Sequence, residues 1–399
     1  MLNEVQMGRY ADVLLWGLKK ARASRFEKND VILIKYHHPA LALAEVIFSR
    51  ILEMGMYPVQ RVVSTPRMEK VFFRLADDQQ LTFQIPGESE LLSRLNGSIF
   101  LNAPESITHL TGVDAGKIGK SMAAQKPLKD IKTRRESMGL FAWTLCLYPT
   151  KALADAAGID LKTYFDQVKK ACFLDETEPV SKWEELYSNA GQIKVWLKSL
   201  DLKCIKVESK KIDLEIGLGD HRKWIGISGR NIPSFEIFTS PDWRATHGVY
   251  FADQPSYRNG NYVKNVRLEF NRGKLVEVSA EEGEVFLKKQ LKLDEGAGRV
   301  GEFSLTDRRF SKIDRFMANT LYDENFGGDY GNCHLAMGSS YENTFSHDRN
   351  MLTPEYKTHL GFNDSALHWD LVNTEPKRVV GVLKSGKNTT IYENGEFTY

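Results

Sequence analysis

Cysteine is scarce in this sequence. The four residues Cys146, Cys172, Cys204 and Cys333 are scattered over 399 positions without any Cys-x-x-Cys spacing. That pattern argues against a disulfide framework and a thiolate zinc site, and for a reducing cytoplasm. An excess of one charge is lacking too: 54 Lys and Arg against 52 Asp and Glu leave a formal charge of +2, so no global field draws the chain to nucleic acid or to a membrane. No run reaches the ~18 apolar residues of a membrane span. The first ten residues, Met1-Leu-Asn-Glu-Val-Gln-Met-Gly-Arg-Tyr10, lack the basic start and apolar core of an export signal. What remains is a globular composition, 42% hydrophobic and 27% charged, expected in the cytoplasm.

A chain of 399 residues is longer than the ~250 to 300 at which a single core stops growing, so at least two domains are expected. Tyr10, Val13, Leu14, Leu18 and Ala21 recur at helical spacing, residues 31–36 form a short apolar strand, 40–54 an apolar helix ended by Gly55, and 59–64 a second strand. With further strand candidates at 107–110 and 141–147, this alternation predicts an α/β domain with a mostly parallel sheet covered by helices. Helical patterns continue at 151–157 and 183–200. Beyond Leu202 the pattern changes to short strands, at 204–207, 214–218, 224–227, 262–270 and 275–280, with a hairpin corner at Asn271-Arg-Gly-Lys274. The expected organisation is therefore an α/β domain over 1–200 followed by an α+β, mainly antiparallel domain over 201–399 that carries the metal-ligand candidates.

Four features of the chain resemble functional motifs without meeting their requirements. Gly116-Lys-Ile-Gly-Lys-Ser121 has the end of a phosphate loop, but Asp114 stands where the first glycine of the cradle is needed and would repel phosphate. The basic stretch 126–135 has no interleaved aromatic residues on which single-stranded nucleic acid could stack. His37-His38 follows a strand with no partner carboxylate nearby, which favours a structural role. Gly217-Leu-Gly219 lies in a strand-turn setting with no helix after it, so it is not a dinucleotide fingerprint.

The chemically dense stretch is 332–370. It holds His334 and Tyr341, then His368-Trp-Asp370, and in an extended segment residues two apart share a face, so His368 and Asp370 can aim at one ion. Imidazole with carboxylate suits zinc, manganese or cobalt better than a soft site does. Upstream, Glu236 sits in an apolar run between Pro233 and Pro241, and Glu302 lies between Gly301 and Phe303. A glutamate in such company is expected inside only if something pairs with it, as a metal ion would.

These segments together resemble the thermophilic-type dinuclear metalloaminopeptidases, the family that includes aminopeptidase T and aminopeptidase S. The likeness rests on Asn231-x-Pro-x-x-Glu236-x-Phe-Thr239, Asp294-Glu-Gly-Ala-x-Arg-x-Gly-Glu302, Asn319-Thr-Leu-Tyr-Asp-Glu-Asn325, Cys333-His-Leu-Ala-Met-Gly338 and His368-x-Asp370, in that order. It implies metal ligands at Glu236, Glu302, His334, His368 and Asp370, with Tyr341 matching the family's active-site tyrosine as a further ligand or an oxyanion donor. The 326–332 connection is about three residues longer than the family's. The resemblance implies two divalent ions, peptide substrates with a free N-terminus, and a homodimer.

Charge is balanced if two divalent ions face Glu236, Glu302, Asp370 and one shared hydroxide. Two ions lower the pKa of a shared water further than one can, giving a nucleophile at neutral pH without a covalent intermediate. Glu302 is the expected bridge and, with Tyr341, the expected catalytic residue. Glu236 with His368 or Asp370 would complete one ion's shell and His334 the other's, a partition that stays open. Two other readings use the same residues: a metal-loaded binding or assembly protein without turnover, and a mononuclear metal hydrolase of other amides. Metal stoichiometry and a panel of aminoacyl substrates separate the three.

Overall fold

The apolar run at 31–36 becomes the strand Val31–Tyr36, buried along most of its length, as a strand covered by helices on both faces must be. In a computed structural model, which describes residues 1–258 and 260–399, it lies in a five-stranded parallel sheet. The order is Tyr57–Val62, Val31–Tyr36, Gly97–Asn102, Ala142–Leu147 and Asn231–Ile232. The helix Glu4–Ala21 starts at a capping box in which Asn3 and Gln6 satisfy each other's backbone donors. Its buried stripe of Tyr10, Val13, Leu14 and Leu18 faces the sheet, and Tyr10 Oη donates to the Leu147 carbonyl at 2.9 Å.

The strand expected at 107–110 is instead a turn. His109 there bonds the Ser106 carbonyl (3.2 Å), a local side-chain bond that favours turn over ladder, and the distant Glu69 carboxylate (2.7 Å). The strand of that region is Gly97–Asn102, whose signal is weakened by its glycine. A Cβ at Gly97 would come within 2.9 Å of Ile32 Cδ1, so neighbouring side chains fill the space a larger residue would need.

The described residues divide into two compact units, Met1–Trp183 with Ser228–Pro233, and Glu184–Ile227 with Ser234–Tyr399. The segment Ser228–Pro233 adds the last strand to the parallel sheet. It is held by Thr144 Oγ1 donating to the Gly229 carbonyl (2.8 Å), Leu145 N–H donating to the Arg230 carbonyl (2.7 Å), and an Arg230 to Glu136 ion pair (2.7 Å).

The second unit contains an eight-stranded antiparallel sheet, ordered Lys274–Ser279, Val266–Asn271, Thr246–Ala252, Asp213–Gly217, Leu202–Ser209, Lys377–Leu383, Asn388–Glu393 and Glu396–Phe397. The expected corner at 271–274 is a two-residue hairpin turn, with Arg272 and Gly273 both left-handed (φ 49° and 74°). Two expected strands are broken for similar reasons. Residues 224–227 make only an isolated bridge from Ile225 to Phe238, because Gly226 and Ile227 both have positive φ (148° and 49°). Residues 262–270 divide into Asn261–Val263 and Val266–Asn271 at Asn265, φ 50°. Among the described residues no helix is long and apolar enough to cross a membrane.

The second sheet of this unit has four antiparallel strands, His368–Asn373, Asn332–Gly338, Val300–Thr306 and Glu236–Thr239 in that order. Its back is anchored by tyrosines of the larger sheet: Tyr250 Oη donates to the Leu371 carbonyl (2.7 Å), and Tyr392 Oη to the Thr306 carbonyl (2.7 Å). At one edge the main chain of Gly226 approaches so closely that a Cβ there would lie 1.9 Å from the Glu236 carbonyl oxygen. Gly226→Ala is expected to lower the melting temperature by several degrees, since a clash combined with a disfavoured φ costs on the order of 1–3 kcal/mol. Thermal unfolding followed by circular dichroism would check this, and an unchanged midpoint would show that the loop yields freely.

Candidate metal centre

Strand register puts the sequence candidates on one face. Ala336 pairs with both Glu302 and Asp370, Gly338 pairs with His368, His334 with Ser304, and Thr306 with Glu236. Because side chains alternate across a strand, Glu236, Glu302, His334, His368 and Asp370 all project to the same side. Ala336 and Gly338 on that face are small and leave the space above them to the longer ligand-type side chains. The 326–332 connection leaves the register of His334 intact. Asn332 Nδ2 donates to the Glu324 and Phe326 carbonyls (3.1 and 2.6 Å), and the strand begins there.

The approaches to the sheet are tied down individually. Asn325 Oδ1 accepts from the Phe235 N–H (2.5 Å), fixing the chain just before Glu236. Asn363 Nδ2 donates to the Gly296 and Gly338 carbonyls (2.8 and 2.6 Å), and Asp294 accepts from Ser365 Oγ, Ala366 N–H and Ala297 N–H at 2.7 to 2.8 Å. These bonds hold the turn that leads into His368. Gly338 takes φ 105°, and a Cβ there would stand 2.1 Å from the Leu367 carbonyl oxygen, so only glycine lets the two strands meet.

The side chains converge. His334 Nε2 lies 3.1 Å from Glu302 Oε1, 3.5 Å from Glu236 Oε2 and 3.8 Å from Asp370 Oδ1. His368 Nε2 lies 3.3 Å from Asp370 Oδ1 and 3.8 Å from Glu302 Oε2. Glu302 thus turns one oxygen to each imidazole. His368 Nδ1 donates to the Ser339 carbonyl (2.9 Å), which leaves Nε2 to face the carboxylates, the arrangement common to metal-binding histidines. Ser304 Oγ donates to Glu236 Oε2 at 3.3 Å. Tyr341 packs its ring edge-on against His368 (centroids 4.8 Å apart) and at a tilt against Phe238 (5.5 Å), with its main-chain N–H on Ser240 Oγ (2.8 Å).

The electrostatics are those of an incomplete set. Burial, then the charge of Glu302, raises the Glu236 carboxyl to about 8. Burial alone would lower both imidazoles, but the carboxylates outweigh it and lift His334 and His368 to about 9. Asp370 moves the other way: burial would raise it, but the two imidazoles hold it below the usual carboxylate range. Tyr341 keeps 42% of its surface exposed, yet its phenol group is desolvated and faces the Glu302 and Asp370 charges, so its pKa rises well above 10 and it stays a donor.

Ligand atoms of Glu236, Glu302 and His334 all lie within 4.8 Å of one another. Glu302 Oε2 and His334 Nδ1 are buried without a hydrogen-bond partner. A buried carboxylate oxygen in that state is costly unless a cation takes it up, and an oxygen and nitrogen donor set of this kind fits a divalent metal.

Two residues beside the cluster were not singled out from the sequence. Glu324 is buried at 8% exposure, and its pKa is raised by that burial and by the charges of Glu236, Asp370 and Glu302. It lies between Asp323 and Asn325 in the 319–325 segment, and the place of that segment in the family resemblance is the signal that could have marked it. Arg258 donates to the His368 carbonyl (2.8 Å), lies over the Trp369 ring and faces Asp370; no sequence signal marked it. The features set aside from the sequence have other roles. Residues 116–121 lie in the helix Ala115–Ala124, whose cap Asp114 accepts the Gly116 N–H. Residues 126–135 lie in the helix Lys126–Ser137, and His37 Nδ1 accepts the Ala103 N–H at 3.2 Å.

The sequence profile of the thermophilic metalloprotease (M29) family matches residues 3–397. Aminopeptidase 2 of Geobacillus stearothermophilus is 30% identical over 275 residues, 64% of this chain and 65% of that one. Aminopeptidase AmpS of Bacillus subtilis (strain 168) is 27% identical over 401 residues, 94% of this chain and 95% of its own. The fold matches that of wild-type AmpT from Thermus thermophilus with a TM-score of 0.81, across 98% of this chain and 99% of that one, at 21% identity.

The raised pKa values fix how metal uptake depends on pH. Protons held by Glu236 up to about 8 and by His334 and His368 up to about 9 must leave before a cation enters, so raising the pH favours binding. Zinc titrated calorimetrically into metal-free protein near neutral pH, in two buffers of different ionisation heat, is expected to release at least ~1 proton per chain. Apparent affinity should climb between about pH 6 and about pH 9. A pH-independent affinity with no proton release would mean that other groups take the metal.

Proposed function

The chain belongs to the thermophilic metalloprotease (M29) family, and we propose that it is a metal-dependent aminopeptidase that removes the first residue of peptides at a dinuclear centre. The observation that carries this reading is Glu302, buried between two imidazoles with Oε1 toward His334 and Oε2 toward His368. A carboxylate so placed can serve two positions at once. Glu236 and His334 frame the first, and His368 and Asp370 the second. Two divalent ions, zinc, cobalt or manganese, would lower the pKa of a water there and polarise the scissile carbonyl.

The chain's own residues do the rest. Ser304 orients Glu236, the Ser339 carbonyl orients His368, and Asn325 and Asn363 hold the strands that carry them. Tyr341 stays protonated and donates toward the oxyanion that develops as the peptide carbonyl is attacked. The amino-end direction is supported by the names of the relatives, and by a site with more carboxylates than imidazoles, which suits a free α-ammonium group. A reducing cytoplasm is in keeping with four cysteines that are all buried and make no disulfide.

Glu302→Gln is expected to abolish peptide hydrolysis and reduce bound metal while leaving the fold largely intact, because no neighbour replaces a bridging charge. Wild-type turnover with a full metal complement would sink the assignment. An N-acetylated peptide should be cleaved at least ~100-fold more slowly than its free form, the scale of a lost charged contact. Equal rates on the two, or cleavage beginning at an internal bond, would point to a different hydrolase on a similar centre. The assembly is read as a homodimer from the family resemblance. Sedimentation showing only the 45.4 kDa monomer across a wide concentration range would remove that reading.

A further inference from the structure

Away from the carboxylate cluster, two imidazoles from distant parts of the chain meet at the surface of the second unit. His221 Nδ1 and His347 Nε2 are 2.9 Å apart, and both residues are exposed. The main chains beneath them are fastened together. Ser346 N–H donates to the His221 carbonyl (2.9 Å) and Lys223 N–H to the Thr344 carbonyl (2.8 Å), which makes Arg222 and Phe345 an antiparallel bridge. The fully buried Phe345 ring packs edge-on against both imidazoles, with centroids 6.2 Å from His221 and 5.5 Å from His347. The pair is therefore held in place by protein contacts alone.

A straight N–H···N bond of this length would put the ring centroids roughly 5.2 Å apart, the donor–acceptor distance plus one ring radius at each end. They are 4.7 Å apart, with planes at 64°. The nitrogen axes are thus bent away from the N···N line, as they are when two rings point at a common third atom. Two nitrogens each ~2.0–2.1 Å from one ion, and at right angles around it, stand roughly 2.9 Å apart, which is the spacing of this pair. With their protons on His221 Nε2 and His347 Nδ1, both facing nitrogens are acceptors, and a cation satisfies the two together.

We propose that His221 and His347 form a metal site separate from the carboxylate cluster, a two-imidazole chelate for a divalent transition ion. Right angles and imidazole donors suit copper(II) and nickel(II), and the exposure of the pair leaves the remaining coordination positions to water. The bound ion ties segment 344–347 to segment 221–223. It thereby steadies the turn that begins at Tyr341, whose carbonyl accepts Thr344 Oγ1 at 2.6 Å.

The experiment starts from the full chain with its carboxylate centre loaded with zinc, to which Cu²⁺ is added in measured equivalents. Wild type is expected to take up one further Cu²⁺ per chain, with hyperfine structure from two nitrogens in its electron paramagnetic resonance spectrum. His347→Gln and His221→Asn should each weaken that uptake at least ~10-fold and leave one nitrogen at most. Asparagine is chosen at 221 because it tolerates the left-handed φ of 57° there, and His347→Gln decides the matter even if His221→Asn fails to fold. Hydrogen exchange at the Ser346 and Lys223 amides should slow at least ~5-fold with the ion bound, in wild type only. No further uptake, or a copper spectrum that persists in both variants and so belongs to the carboxylate cluster, overturns the site. Unchanged exchange at the two amides overturns the tie between the segments.

Discussion

Carboxylates gathered on one buried face repel one another, and that repulsion is the constraint around which the second unit is built. Glu236, Glu302 and Asp370 occupy a space with little water to screen them, and in the absence of a cation protons and imidazolium groups must do the screening, as the upward shifts of Glu236, His334 and His368 record. A set of groups that unfavourable persists only on a rigid support. The support is an antiparallel ladder with glycine and alanine between the candidate ligands, pinned from behind by Tyr250 and Tyr392 and at its entrances by Asn325, Asn363 and Asp294. These side chains are placed by backbone hydrogen bonds, whose geometry varies little, rather than by long flexible loops.

Glu324 and Arg258 border the cluster with opposite chemistry. Glu324 is buried beside the carboxylates, and that burial with the charges of Glu236, Asp370 and Glu302 raises its pKa, which favours its neutral, protonated form. Arg258, bonded to the His368 carbonyl, faces Asp370 with a positive charge. The sequence count of three carboxylates and one hydroxide against two divalent ions leaves out both residues.

Patterns with a short period were readable in the sequence, and long-range ones were not. His368 and Asp370 share a face because they are two apart on a strand, and the helix at 4–21 and the strand at 31–36 follow from spacing alone. The ligand candidates came from buried-type company around a charge and from the family resemblance. Arg258 had neither, since its importance comes from a carbonyl 110 residues away. Glu324 stands between Asp323 and Asn325, in a run of polar residues that reads as a turn. The strands misplaced at 107–110 and 224–227 failed on backbone conformation: a side chain bonded back to its own turn, and a glycine and an isoleucine at positive φ. Apolar composition does not report either.

The excursion of Ser228–Pro233 into the parallel sheet means that the chain passes between the two units three times, at 183 to 184, 227 to 228 and 233 to 234. Glu236 follows the last of these by three residues. No single cut in the gene would therefore yield two complete units, since the N-terminal half would lack its outermost strand and the C-terminal half would carry it with no sheet to join. An arrangement of this kind resists shuffling as a cassette. The outermost strand of the parallel sheet, Asn231–Ile232, is encoded only a few residues before the strand that presents Glu236, so the two units share one short stretch of chain.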